Sequence, residues 1–159
     1  MSKRPIPSED NHYLSQHVAL LRHSFHHWTG RALVATRMND EDAARYLLHA
    51  PFAVVSHDTA KDPIFNYANQ TALSLFAMDW ESFTTLPSRM SAEPMEQAER
   101  QRLLDEVANQ GFFDHYSGIR VGRHGRRFQI ENAVIWNLLE ASTGAFKGQA
   151  ALIKDWKFL

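Results

Sequence analysis

Leu14, Val18, Leu21, Phe25 and Trp28 step by four, three, four and three, the spacing that lays one apolar stripe along an α-helix. Gly30 stands where that helix would end. Asn39 and Asp40 offer a cap for a second helix through Ala43, Ala44, Leu47 and Leu48, which stops before Pro51. The pattern then changes. Residues 52–56 and 64–68 read as two strands of a hairpin, joined by a turn-like stretch before Pro63. Asn69 caps a helix through Ala72, Leu73, Leu75 and Phe76, and residues 80–86 form a short helical turn ended near Pro87. A longer helix begins around Pro94 and runs to about Asn109, with Gly111 just beyond it. Residues 112–121, 127–140 and 145–158 are strand-like and separated by turn-rich 122–125 and 141–144, which makes an antiparallel meander. The chain thus divides into a loose tail (1–11), N-terminal helices packing on a sheet (12–50) and a sheet-and-helix body (51–159).

Composition narrows the classes. With 159 residues and 44% hydrophobic content the chain suits one domain able to bury its own core. Seventeen Lys and Arg stand against 18 Asp and Glu, so the balance gives no global electrostatic case for nucleic acid or an anionic membrane. The absence of cysteine excludes disulfides, thiolate metal sites, cysteine nucleophiles and thiol redox chemistry. No apolar h-region follows the basic start and no stretch approaches a membrane span, so the expectation is a cytoplasmic protein.

Two strands, helices, then three strands is the element order of the PAS fold, an α+β architecture whose five-stranded antiparallel sheet carries helices on one face over a cavity. Asp-Pro-Ile-Phe-Asn-Tyr-Ala-Asn (62–69) followed by Gln-Thr-Ala-Leu-Ser-Leu-Phe (70–76) resembles the PAS pattern of a strand, a capping Asn and a helix. A closer resemblance is to the MEKHLA family. It is carried by Ser-Phe-His-His-Trp-Thr-Gly-Arg (24–31), Ala-Pro-Phe-Ala-Val-Val-Ser-His-Asp-Thr (50–59), Pro-Ile-Phe-Asn-Tyr-Ala-Asn (63–69) and Leu-Pro-Ser-Arg-Met-Ser-Ala-Glu-Pro (86–94). Tyr-Ser-Gly-Ile-Arg (116–120), Trp-Asn-Leu-Leu (136–139) and Gly-Gln-Ala-Ala (148–151) continue it. The resemblance implies a PAS-like fold preceded by two N-terminal helices, and a chain of the stand-alone bacterial kind rather than the C-terminal part of a plant homeodomain–leucine zipper factor. It implies no settled ligand, cofactor or reaction.

The stretch 127–140 is the most informative. Its even positions, Phe128, Ile130, Asn132, Val134, Trp136 and Leu138, share one face by strict alternation, and Asn132 is the only polar member. Asn132 is then either a satisfied structural amide, a bulge, or a polar anchor in a ligand cavity. The odd positions Ala133, Ile135 and Leu139 are apolar too, so the other face is covered by the N-terminal helix. In the strand 112–121, His115 and Ser117 fall on the side of Ile119 and Val121 and would converge with Asn132; Asn66 is a further candidate. The expected ligand-binding set is therefore Asn132, His115, Ser117, Asn66, Phe128, Val134 and Trp136, around a small-molecule guest.

Other motifs carry less. Ser56-His57-Asp58 has the residue types of a hydrolase triad without its geometry, because consecutive strand residues point to opposite faces. His23 and His27 share a helical face, with His26 alongside, but no third ligand converges, so no metal is expected. Haem-binding PAS proteins carry their axial histidine on the long helix, and residues 94–110 hold none. Trp-Asn-Leu-Leu echoes a strand motif of the flavin-binding LOV branch, whose adduct chemistry is excluded without cysteine. Arg120, Arg123, Arg126 and Arg127 surround the 122–125 turn and read as a solvated hairpin rather than a nucleic-acid contact. The expected function is a sensory, ligand-binding domain that signals by a shift in packing or association. Two rivals remain: a homodimerising interaction module using the N-terminal helix, and a small-molecule enzyme using His115 with Asp114 or Tyr116.

Overall fold

The computed structural model describes residues 4–159, apart from the side chains of Pro94 and Met95. Of the tail expected over residues 1–11, the first three lie outside the described residues. Arg4 pairs with Asp58 at 2.8 Å and its carbonyl accepts the Trp80 indole N–H at 3.0 Å. A 3₁₀ segment, Glu9–Leu14, leads into α1 (Ser15–Thr29). Gly30 ends α1 at φ +72°, a left-handed conformation that glycine adopts without a Cβ clash, and its N–H caps the His26 carbonyl. The second helix, α2 (Asp40–His49), starts where the Asn39 side chain accepts the Asp42 N–H, as its sequence predicts.

The body follows the predicted order. It comprises β1 (Ala53–His57), β2 (Phe65–Ala68), α3 (Gln70–Phe76), α4 (Trp80–Phe83), α5 (Pro94–Gln110), β3 (Phe112–Val121), β4 (Arg127–Leu139), β5 (Phe146–Ile153) and β6 (Asp155–Phe158). The strands are antiparallel in the order β2-β1-β5-β4-β3, with β6 also on β4. Val134 pairs with Leu152 and Glu131 with Asp155, so β5 and β6 share one register along β4 on either side of Lys154. One face of the sheet carries α1, whose Val18, Leu21 and Phe25 pack with Val134, Trp136 and Leu138. On the other face Phe76 and Phe83 pack with Phe128 and Ile130, while Leu103 and Val107 of α5 meet Ile135.

These packing partners correct the alternation expected for β4. Phe128 and Ile130 face one layer, whereas Val134, Trp136 and Leu138 face the other. The cause is Asn132, which sits at φ +54° and is exposed. A residue in the left-handed region turns the strand by one extra position, so every side chain beyond it changes face. Ala133, Ile135 and Asn137 take the inner side in place of the even set. Opposite it, His115 in β3 also adopts positive φ (+59°), and the β3–β4 register shifts on both sides of Tyr116. The inner set of β3 is consequently Tyr116 and Arg120, not His115 and Ser117, which are exposed.

Asn69 does more than cap α3. Fully buried, it accepts the N–H groups of Ala72 and Val54 and donates to the carbonyls of Leu47 and Phe52. All four hydrogen-bonding positions of the amide are used, joining α2, β1 and α3 at one point.

Candidate functional site: a cavity beneath the long helix

Helix α5 crosses the inner face of the sheet with Arg100, Leu103, Leu104 and Val107 at three- and four-residue spacing, so all four project toward the strands. Between this stripe and β1, β3, β4 and β5 lies a cavity of about 60 Å³. Its walls mix apolar side chains (Val55, Phe65, Phe76, Ile130, Ile135) with His57, Arg100, Tyr116, Arg120 and Gln149. At its C-terminal end α5 is held by two amides. Asn137 donates to the Val107 and Ala108 carbonyls, and its own oxygen accepts from Gln149, which also donates to the Leu104 carbonyl at 3.0 Å. Gly111, at φ +105°, allows the turn into β3; a Cβ there would come within 2.4 Å of the Trp28 ring.

The electrostatics of the cavity are unbalanced. Arg100 and Arg120 are only 6% and 8% exposed. Arg120 donates to the Ile119 carbonyl and to the Tyr116 hydroxyl, both at 2.8 Å. Among the described residues Arg100 makes no hydrogen bond and neither guanidinium has a carboxylate within 4 Å. Burial lowers the Arg100 pKa to about 10, with the charge of Arg120 acting in the same direction. His57 is held neutral, its pKa lowered chiefly by burial, while the Asp58 carbonyl supports the charged form less strongly. Its Nδ1 faces that carbonyl at 3.0 Å, and a carbonyl only accepts, so the proton belongs on Nδ1. Nε2 is then an acceptor with no hydrogen bond to it among the described residues, and the Gln149 side chain beside it favours the charged ring. The Ser91 hydroxyl is committed to the Ser88 carbonyl, and the Ser88 hydroxyl is buried without a partner.

The predicted site residues divide between the two faces. Phe128 lies on the inner side, against Phe76 at 5.1 Å between ring centres, but adjoins the cavity rather than lining it. Val134 and Trp136 face α1, where Phe25 meets the Trp136 ring edge-on at 4.9 Å. Asn132 and His115 do come together, with Val134, in an outer groove beside Phe25 and Arg31, where Arg31 pairs with Asp114 at 3.1 Å. Ser117 sits on the surface near Glu99 and Arg102. Asn66 accepts from the Ser56 hydroxyl, which in turn accepts from His17 on α1 at 2.9 Å. Ser56 and His57 thus serve different layers, as alternation predicts for a rejected triad. The pairing of His115 with Tyr116 is broken by the bulge: the histidine is exposed, and the tyrosine joins Arg120 in the cavity.

Of the polar wall, the sequence reading gave no role to Arg100 and Gln149, and it set His57 in a rejected triad, Tyr116 in a rival catalytic pair and Arg120 in a solvated hairpin. One signal was legible: Arg100 falls on the apolar stripe of α5 formed with Leu103, Leu104 and Val107, where a charge needs a reason. The arginine-rich turn divides as well, since Arg127 pairs with Glu93 and Arg126 lies 3.8 Å from the centre of the Phe158 ring. His23 and His27 stack on each other at 6.2 Å, and among the described residues no three His, Asp or Glu side chains converge on a metal position. No helix among them is long and apolar enough to cross a membrane.

The fold has solved counterparts. The PAS domain of a protein from Colwellia psychrerythraea is 18% identical, covers 70% of this chain and 92% of its own, and superposes with a TM-score of 0.61. An RNA-binding light-oxygen-voltage receptor is also 18% identical, over 77% of this chain and 35% of its own, with a TM-score of 0.61. A fungal LOV domain photoreceptor is 10% identical over 89% and 91%, with a TM-score of 0.59. These likenesses establish a PAS/LOV-like fold. A flavin-sized group does not fit the present cavity, whose volume is well below the roughly 300 Å³ at which drug-sized sites begin. In sequence, the homeobox-leucine zipper protein HOX29 of Oryza sativa subsp. indica is 23% identical over 129 residues, which are 79% of this chain and 15% of that protein. The MEKHLA domain model matches residues 15–158, and the chain therefore belongs to the MEKHLA domain family.

Proposed function

We propose that this PAS-like domain is a sensory module that takes a small molecule into the cavity beneath α5 and answers by a change in the packing of that helix. The observation that carries the reading is Arg100, a buried guanidinium on the cavity wall with no hydrogen-bond partner among the described residues. Buried polar groups are nearly always satisfied, and an orphan facing a cavity is satisfied by what enters it. The helix is suited to respond. It buries few apolar side chains, Leu103 and Val107 chief among them, and is latched by the Asn137 and Gln149 amides. A guest that touches Arg100 and Gln149 touches both the helix and its latch.

Native mass spectrometry of the untagged protein, paired with amide exchange, tests this. The expected result is a co-purifying mass, or a binder from a small-metabolite set, that slows exchange across residues 94–110 more than across α1. A clean apo mass whose α5 exchange responds to no compound of the set would overturn it.

A second reading, association of two copies through α1, draws on a groove of about 600 Å³ between α1 and the segment that follows it, lined by Leu20, Leu33 and Met38. Sedimentation velocity decides it, since a monomer at every concentration ends that reading.

A further inference from the structure

The cavity is specific about charge. Arg100 and Arg120 are both buried in its wall, and neither meets a carboxylate among the described residues. An uncompensated buried cation is costly, and two in one cavity repel each other as well. Among the described residues the Arg100 guanidinium N–H groups meet no acceptor. Tyr116 accepts from Arg120, so its own O–H proton remains to be given. The wall thus offers two guanidiniums and one hydroxyl proton, all matched to an anion.

The remainder of the wall defines the rest of the guest. Val55, Phe65, Phe76, Ile130 and Ile135 are apolar, so a bare inorganic oxyanion would leave them against charge. The volume of about 60 Å³ admits roughly four to six heavy atoms, taking 10–15 Å³ for each water-sized group. Resting on the small-molecule reading above, we propose that the guest is a short aliphatic carboxylate. Its carboxylate is clamped by Arg100 and Arg120.

Lactate is the probe, with lactamide as its neutral isostere and inorganic phosphate as the anion without an apolar part. Each is titrated at constant ionic strength into ¹⁵N-labelled full-length protein, with melting temperature followed in parallel. The expected result is that lactate raises the melting temperature and shifts the amides of Arg100, Leu104 and Gln149, while lactamide and phosphate do so far more weakly. In Arg100→Met the lactate affinity falls by about tenfold to a hundredfold, the range for a lost charge-assisted hydrogen bond. The apo melting temperature of that variant holds or rises, because a buried charge without a partner has been removed. Equal effects of lactate and lactamide would overturn the carboxylate while leaving small-molecule sensing in place, and phosphate binding without lactate would make this an inorganic anion site. A less stable Arg100→Met with unchanged lactate affinity would make the arginine structural. No shift of these amides with any probe or metabolite would remove both readings. If the variant does not fold, the lactate–lactamide pair on the natural protein still decides.

Discussion

The two faces of the sheet are built to different rules. On the outer face α1 is sealed: Phe25 meets Trp136, Ser24 exchanges hydrogen bonds with the backbone of Leu139, and Trp28 donates to the Asn137 carbonyl. On the inner face α5 bridges a cavity, carries a buried arginine unpaired among the described residues and is fastened by side-chain amides. Both faces hold orphan polar atoms, but of different kinds. The Tyr67 hydroxyl and Trp136 Nε1 are the polar tips of large packed aromatics, whereas His57 belongs to the cavity wall that also holds Arg100 and Arg120. The outer face therefore reads as the source of stability and, on the proposed function, the inner face is where stability is given up for a guest.

The largest expected effect is on the outer face. Trp136→Ala removes the biggest fully buried side chain and leaves a void against Phe25, which costs about 3–5 kcal/mol. Urea denaturation should show a large drop in midpoint. Asn137→Ala comes next, at about 2–3 kcal/mol, because the Val107 and Ala108 carbonyls and the Gln149 amide lose their partner. Its signature is local: amide exchange across α5 accelerates while α1 stays protected. If α1 opens together with α5, the faces are one cooperative unit and the contrast fails.

A third expectation is pH dependence seated on the outer face. Burial, with a smaller push from Arg4, lowers the pKa of His17 from 6.5 to about 4. The unfolded chain thus binds the proton that the folded chain refuses, and stability present above pH 6.5 is lost as pH falls toward 4. For this half-buried ring the loss is about 2 kcal/mol, after discounting the full 1.36 kcal/mol per pKa unit for partial solvation. His57, shifted in the same direction, adds to the slope. His17→Gln should flatten part of the acid limb in denaturation followed from pH 7 to 4. An unchanged limb would place the effect on His57 and the inner face.

What could be read from the chain follows from what is local. Helix caps at Asn39 and Asn69, the glycine stop at Gly30 and the order of elements along the chain rest on neighbouring residues, and they are found where predicted. The site was not local. Its polar wall is assembled from β1, α5, β3 and β5, and the assignment of faces along β3 and β4 hangs on two backbone torsions. Strict alternation placed the buried amide at Asn132; the extra residue moved that role five positions on, to Asn137. Nothing in a two-residue period signals the slip, although Asn is among the few side chains that tolerate the left-handed region.

The smallest effect tests that slip directly. At φ +54° and exposed, Asn132 is held by backbone conformation rather than by contacts. Glycine reaches the same region without a Cβ clash, so Asn132→Gly should change stability by no more than about 0.5 kcal/mol. A β-branched residue is a genuine outlier there, so Asn132→Val should cost about 1–2 kcal/mol. Affinity for a cavity guest should be the same in both variants, because the side chain lies in the outer groove with His115 and Arg31. A glycine variant as damaged as the valine one would mean that the amide itself is bonded. An affinity that followed the side chain would return Asn132 to the cavity and merge the two faces that the bulge keeps apart.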